Sequence, residues 1–211
     1  MSLVYDSLYG AVEVEKPFPE LITSRLLRRL EGVSQYGFPD DMYHIKGFTR
    51  FEHSVGVMVL LHNLKADLET RIAGLLHDVS HTAFSHVIDW VFDNEVAEDY
   101  QDKNHKHVIM NDSEISRILA DYSIPSERVA NPENYPLLEQ KAPWLCADRI
   151  DYTLRELYYL GKREDAKNLV KSIRRKEDRV VFSSKDAAWR FGRYYMQRQT
   201  QHWGGSEAVV R

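Results

Sequence analysis

The sequence predicts an all-α domain with marginal β decoration. Apolar residues recur at near-3.6 spacing through most of the chain. Period-two alternation is confined to the amino-terminal residues and to a short run near 179–183. Repeats, low-complexity segments and a clear linker are all lacking, which makes residues 1–211 one domain, with a core over about 24–162 and a carboxy-terminal helix over about 185–203.

The elements follow in order. Alternation on either side of "DSLYG" predicts a β-hairpin over 3–14. After Pro17 and Pro19, "ELITSRLLRRLEGVSQ" places Leu21, Ile22, Leu26, Leu27 and Leu30 on one face, as one helix or two broken near Ser24. Residues 37–49 read as a loop, and "RFEHSVGVMVLLHNL" as a buried helix with Thr49 as its N-cap. Further helices are expected over "ETRIAGLLHDV", "AFSHVIDWVFDNE" and "DSEISRILADY", the last capped by Asp112 or Ser113. A proline-rich loop covers 131–143. A long helix then runs from Pro143 to its stop at Gly161, a short strand covers "DRVVFSS", and an amphipathic helix covers "KDAAWRFGRYYMQRQTQHW".

Composition narrows the function. A 211-residue chain that is 43% hydrophobic can bury one substantial core. A net charge of -4 and a pI near 6.1 argue against a nucleic-acid coat or a basic membrane-surface binder and favour small soluble partners. "KSIRRKEDR" lacks the interleaved aromatics of a stacking platform, so it reads as a solvated face. The single cysteine, Cys146, excludes an internal disulfide framework and suits a reducing compartment. No signal-peptide pattern and no run of roughly 18 apolar residues is present, so a cytoplasmic protein is expected.

The chemistry concentrates in "RIAGLLHDVSHTAFSH". On a helix, His77 and His81 at i and i+4 share a face, with Asp78 beside His77. Imidazole and carboxylate at a helix end suit a divalent Fe, Mn, Ni, Zn or Mg ion. Two ligands are too few, and the next candidates in similarly apolar surroundings are His53 in "RFEHSVGVMVLL" and Asp148 in "WLCADRIDY".

The order His53, His77-Asp78, Asp148 resembles the H…HD…D pattern of the HD-domain superfamily of metal-dependent phosphohydrolases. "TRFEHSVGV", "AGLLHDVSHTAFSH" and "ADRIDYTLRELYYLG", with "DSLYGAVEV" and "LRRLEGVSQYG" before them, resemble ordered blocks of its deoxynucleoside triphosphate triphosphohydrolase branch. The resemblance implies that His53, His77, Asp78 and Asp148 bind one divalent ion, leaving positions for water and a phosphate oxygen. It implies catalysis by His81 together with Asp78. Arg50 and Arg149 are implied as phosphate contacts, Gln35 and Tyr152 as sugar-pocket residues, and His86 as a further residue facing substrate. Tyr36 and Glu156 depart from the branch at the sugar, Arg149 stands where lysine is common, and Arg193 is a weaker candidate for a terminal phosphate.

His105 and His107 read as a solvated loop, with a second metal as the alternative; His44, His62 and His202 read as surface or supporting residues. The expected activity is hydrolysis of a phosphate ester or anhydride of a nucleotide-like small molecule. Its alternative is a non-catalytic sensor using the same pocket. The larger triphosphohydrolases continue beyond the last helix into segments that build oligomers, so a compact or truncated member is implied. A homo-oligomer is left open, and regulatory nucleotide sites have no sequence support.

Overall fold

A computed structural model describes residues 1–37, 47–92 and 100–200 of the protein. Most of the loop expected over 37–49 lies outside the described residues. So do the ends of the helices expected over 83–95 and 185–203, and His44 and His202.

The amino-terminal hairpin forms as its alternation requires. β1 (Ser2–Asp6) and β2 (Gly10–Val14) pair antiparallel, with Ser2 opposite Val14 and Asp6 opposite Gly10. Asp6 Oδ1 accepts the amide protons of Leu8 and Tyr9 at 2.8 and 2.9 Å, which fixes the turn. The next segment is broken at Ser24, which separates α1 (Phe18–Thr23) from α2 (Arg25–Arg28) and caps the latter. A 3₁₀ turn over Arg29–Gly32 completes the segment.

α3 (Arg50–Asn63) is the central element. It starts at a capping box, with Thr49 and Glu52 satisfying each other's backbone amides. Residues 53–61 are buried on every side, as expected of a helix enclosed by others. α4 (Leu68–Leu76) is capped by Asp67 and packs on α3 so closely that a Cβ on Gly74 would overlap Leu61 and press on Val57. Sequence periodicity extends α4 to Val79, but the helix stops at Leu76 and residues 77–80 turn away.

The next stretch differs most from expectation. α5 (Val87–Val91) is short, because residues 83–86 form a turn instead of helix. α6 (Tyr100–Asn111) replaces the loop expected around His105 and His107: its buried stripe is Gln101, His105 and Ile109, mostly polar, so it gives little hydrophobic signal. α7 (Ser113–Asp121) is capped by Asp112 as expected, and α8 (Ser126–Val129) is a single turn. α9 (Ala147–Tyr159) begins at Ala147 instead of Pro143 and ends before Gly161, whose φ is 85°.

α10 (Arg163–Ser172) was not anticipated. It leads into β3 (Ile173–Lys176), which pairs antiparallel with β4 (Arg179–Phe182), so "KSIRRKEDR" is largely one arm and turn of a hairpin. α11 (Lys185–Arg198) closes the described chain. The all-α class with two small β elements therefore holds. One apolar cluster runs through Val14, Phe18, Leu27, Met58, Leu75, Ile118, Leu154 and Phe191, joining every layer. Among the described residues no helix is long and apolar enough to cross a membrane.

Candidate metal centre

Three elements deliver the candidate ligands. His53 stands in the first turn of α3, His77 closes α4 with Asp78 immediately after it, and Asp148 lies in the first turn of α9. Because α3 packs between α4 and α9, their side chains converge. His53 Nε2 lies 2.8 Å from Asp148 Oδ1 and 3.2 Å from His77 Nε2. His77 Nε2 is 3.4 Å from Asp148 Oδ1 and 3.5 Å from Asp78 Oδ1. Ligand atoms of His53, His77 and Asp78 all fall within 4.8 Å of one another.

The opposite ring nitrogens are already committed. His53 Nδ1 donates to Asp151 Oδ2 at 2.7 Å, and His77 Nδ1 donates to the Gly74 carbonyl at 2.8 Å. These acceptors place a proton on each Nδ1 and turn each Nε2 toward the shared space, the usual preparation of a metal-binding imidazole. The site also demands positive charge. Burial opposes a charged His53, yet hydrogen bonds to Asp148 and Asp151 raise its pKa to about 10. Burial likewise opposes the ionised Asp78, but Arg50 and the neighbouring imidazoles hold it well below the usual carboxylate range. Two imidazole nitrogens and the Asp78 carboxylate so arranged suit one divalent transition ion, with the Asp148 carboxylate against both imidazoles.

Around this cluster lie groups that can meet substrate. Arg50, buried at the start of α3, donates from Nη1 to Asp78 Oδ2 at 2.8 Å and from Nε to Ser85 Oγ; its Nη2 is buried without a hydrogen-bond partner. His81 Nε2 lies 3.2 Å from Asp78 Oδ1, and its Nδ1 is also unpartnered. The two histidines of "HDVSH" do not share a helix: His81 reaches the site through the turn after α4, and its amide donates to Asp78 O at 3.1 Å. Arg29 secures that turn, donating from Nη2 to the carbonyls of Val79 and His81 at 2.8 and 2.9 Å. Burial, with Arg50 alongside, pushes His81 down to about 3, so its ring is neutral at pH 7. His86 packs edge-on against His81, with ring centroids 4.9 Å apart.

The remaining sequence candidates divide. The Tyr152 ring lies 6.4 Å from that of His53 and lines the site. Gln35 is buried beside the entry to α3, where its amide donates to Phe48 O at 2.9 Å and its Oε1 has no partner. Arg149 is not brought onto the cluster. Its guanidinium donates to Trp144 O at 2.5 Å and Gln140 O at 3.2 Å, tying down the segment before α9. Arg193 is exposed over the Trp189 ring at 5.6 Å. Glu156 is buried, with Arg198 Nη1 3.9 Å away. His107 bonds with Asn111 on an exposed face, whereas His105 is buried with Nδ1 3.3 Å from Ser80 Oγ, contrary to the solvated reading.

Sequence reasoning missed Asp151, Arg155, Arg29 and Glu139. Asp151 lies three residues after Asp148, hence on an adjoining face of α9, and that spacing was a usable signal. Burial and the nearby Asp148 raise Glu139 to about 7, and it joins Cys146 and Asp148 in a second cluster on which the Arg149 guanidinium rests.

Comparison with known proteins shows the family. The HD domain family matches residues 50–179. The uncharacterized protein YdhJ of Bacillus subtilis is 41% identical over 92% of this chain and 60% of its own length. The metal-dependent phosphohydrolase cns2 of Cordyceps militaris is 38% identical over 82% of this chain and 50% of its own. The chain thus spans about half to three-fifths of these relatives. A crystal structure of a phosphohydrolase from Bacteroides thetaiotaomicron superposes with a TM-score of 0.66 at 20% identity, covering 99% of this chain and 56% of that one, a likeness of fold. With His53, His77, Asp78 and Asp148 all inside the matched segment, the chain belongs to the HD-domain family.

Proposed function

We propose that the protein is a metal-dependent phosphohydrolase acting on a phosphate ester or anhydride of a nucleotide. The observation that carries this reading is the pair of Nε2 atoms of His53 and His77, facing each other between Asp78 and Asp148 with both Nδ1 protons spent elsewhere. Bound there, a divalent ion supplies Lewis acidity toward water and a phosphoryl oxygen. The chain's own residues do the rest. Arg50 Nη2, buried and unpartnered, is a ready donor to a phosphoryl oxygen, and its guanidinium geometry suits that anion. With its Nε2 at Asp78, the neutral His81 leaves Nδ1 as an acceptor, able to take a hydrogen bond or a proton from the reacting group. Tyr152 beside His53 and His86 against His81 flank the cluster.

The nucleotide class is supported by a relative from Dictyostelium discoideum described as a deoxynucleoside triphosphate triphosphohydrolase SAMHD1 homolog, 25% identical over 87% of this chain. Chelator-treated protein, reloaded separately with Mn²⁺, Fe²⁺, Ni²⁺, Zn²⁺ or Mg²⁺, should be assayed against deoxynucleoside triphosphates, ribonucleoside triphosphates and monophosphates. Metal-dependent release of phosphate, pyrophosphate or triphosphate is expected. Metal uptake without hydrolysis of any of them would mark a binding module instead.

A further inference from the structure

The support behind His53 extends well past its own helix. Asp151 Oδ2 accepts from both His53 Nδ1 at 2.7 Å and Arg155 Nε at 2.9 Å. Arg155 Nη2 donates to Asp151 Oδ1 at 2.9 Å and to Asp6 Oδ2 at 2.8 Å. Asp6, Asp151 and Arg155 are only 5%, 0% and 1% exposed, so no solvent screens them. Two carboxylates share one guanidinium, which leaves one unit of negative charge behind the imidazole. A buried charge is costly unless it is paired, so this one favours positive charge on or beyond the ring.

Room has been made for the arrangement. Gly56 lies one turn after His53 on α3, and a Cβ there would overlap the Arg155 guanidinium and the Asp151 carboxylate. The guanidinium therefore passes across a helix face that only glycine leaves clear.

We propose that Asp6 and Arg155 are positioning residues of the metal centre, setting its affinity from the amino-terminal hairpin by fixing Asp151 and keeping net negative charge behind His53. Arg155 holds the Asp151 carboxylate in the plane that receives the Nδ1 proton. Asp6 offsets the charge of Arg155, which would otherwise cancel that of Asp151 and weaken Nε2 as a donor to the ion. The proposal rests on the metal reading given above.

The test is Mn²⁺ affinity, measured by titration calorimetry on the chelator-treated full chain, together with the apo melting temperature. Asp6→Asn keeps the acceptor for the Leu8 and Tyr9 amides but removes the charge. It should fold and bind Mn²⁺ about 5- to 10-fold more weakly, while Asp151→Asn, which touches His53 directly, should lose about 10- to 100-fold. Phosphate release by Asp6→Asn should recover at saturating Mn²⁺, since affinity is what changes. Asp6→Asn affinity within twofold of a metal-binding wild type would overturn the proposal and leave the metal centre standing. An apo Asp6→Asn melting below the assay temperature would assign Asp6 to the fold alone and overturn it too. A wild type that takes up no Mn²⁺ would sink the metal reading and this proposal with it.

Discussion

The Nε2 atoms of His53 and His77 lie 3.2 Å apart, although 24 residues and a change of helix separate them. If a cation belongs between them, the purified protein should carry about one divalent ion per chain, and His77→Ala or Asp78→Ala should lose it, because each removes a ligand and the preorganisation around it. Elemental analysis of the three proteins decides the matter. Equal metal content would show that the cluster is not a metal site.

Removing His81 separates chemistry from metal binding. Its ring touches Asp78 but leaves Nδ1 directed elsewhere, so His81→Ala should keep its metal while turnover at saturating substrate falls by about 10²- to 10⁴-fold. Turnover within a few-fold of wild type in metal-loaded, folded protein would take His81 out of the mechanism.

A substitution that ordinarily favours helices should be harmful at Gly56. Glycine-to-alanine inside a helix normally gains roughly 0.5–1 kcal/mol. Here the added methyl meets Arg155 and Asp151, and overpacking of this kind costs about 1–3 kcal/mol. Urea denaturation of Gly56→Ala should therefore give a lower midpoint than wild type. A higher midpoint would mean that Arg155 can move aside at no cost.

Acid should destabilise the metal-free protein before its carboxylates titrate. Burial pushes the pKa of His105 down to about 4 from the ordinary histidine value of about 6.5. Between those values the unfolded chain binds a proton that the folded chain refuses, so stability falls as pH drops from about 6.5 to 4, by about 1.4 kcal/mol per unit for each such histidine. His81 and His86 are depressed in the same direction. His105→Gln should flatten the dependence by close to one proton's worth. An unchanged slope in denaturation curves across this range would show that His105 takes up its proton in the folded state.

Local signals in the sequence were followed closely where one principle governed them. The Thr49 capping box, the Asp112 cap, the break at Ser24 and the stop at Gly161 are short-range effects, and all appear. Tertiary demands overrode periodicity elsewhere. Leu75 and Leu76 suggest that α4 continues, yet the chain turns at His77 so that Asp78 meets Arg50 and His81 meets Asp78. α6 was illegible because its buried stripe holds Gln101 and His105, which make polar contacts that no apolar pattern records. Arg149 and Arg50 look alike as lone arginines beside ligand residues. Only the fold shows that the carbonyls of Gln140 and Trp144 claim the first, while Nη2 of the second has no partner.

The ion pair between Asp6 and Arg155 joins residues 149 apart in sequence, and this separation bears on how the protein is made. Synthesis proceeds from the amino terminus at roughly 5–20 residues per second, so the hairpin waits roughly 7–30 s for Arg155 to be translated. Until then the Asp6 carboxylate has no guanidinium to accompany it into the interior, and burying it alone is prohibitive. The hairpin, translated well before α9, is thus seated only once α9 has followed it. A nascent chain cut short before Arg155 lacks the guanidinium that pairs with Asp6 in the folded domain.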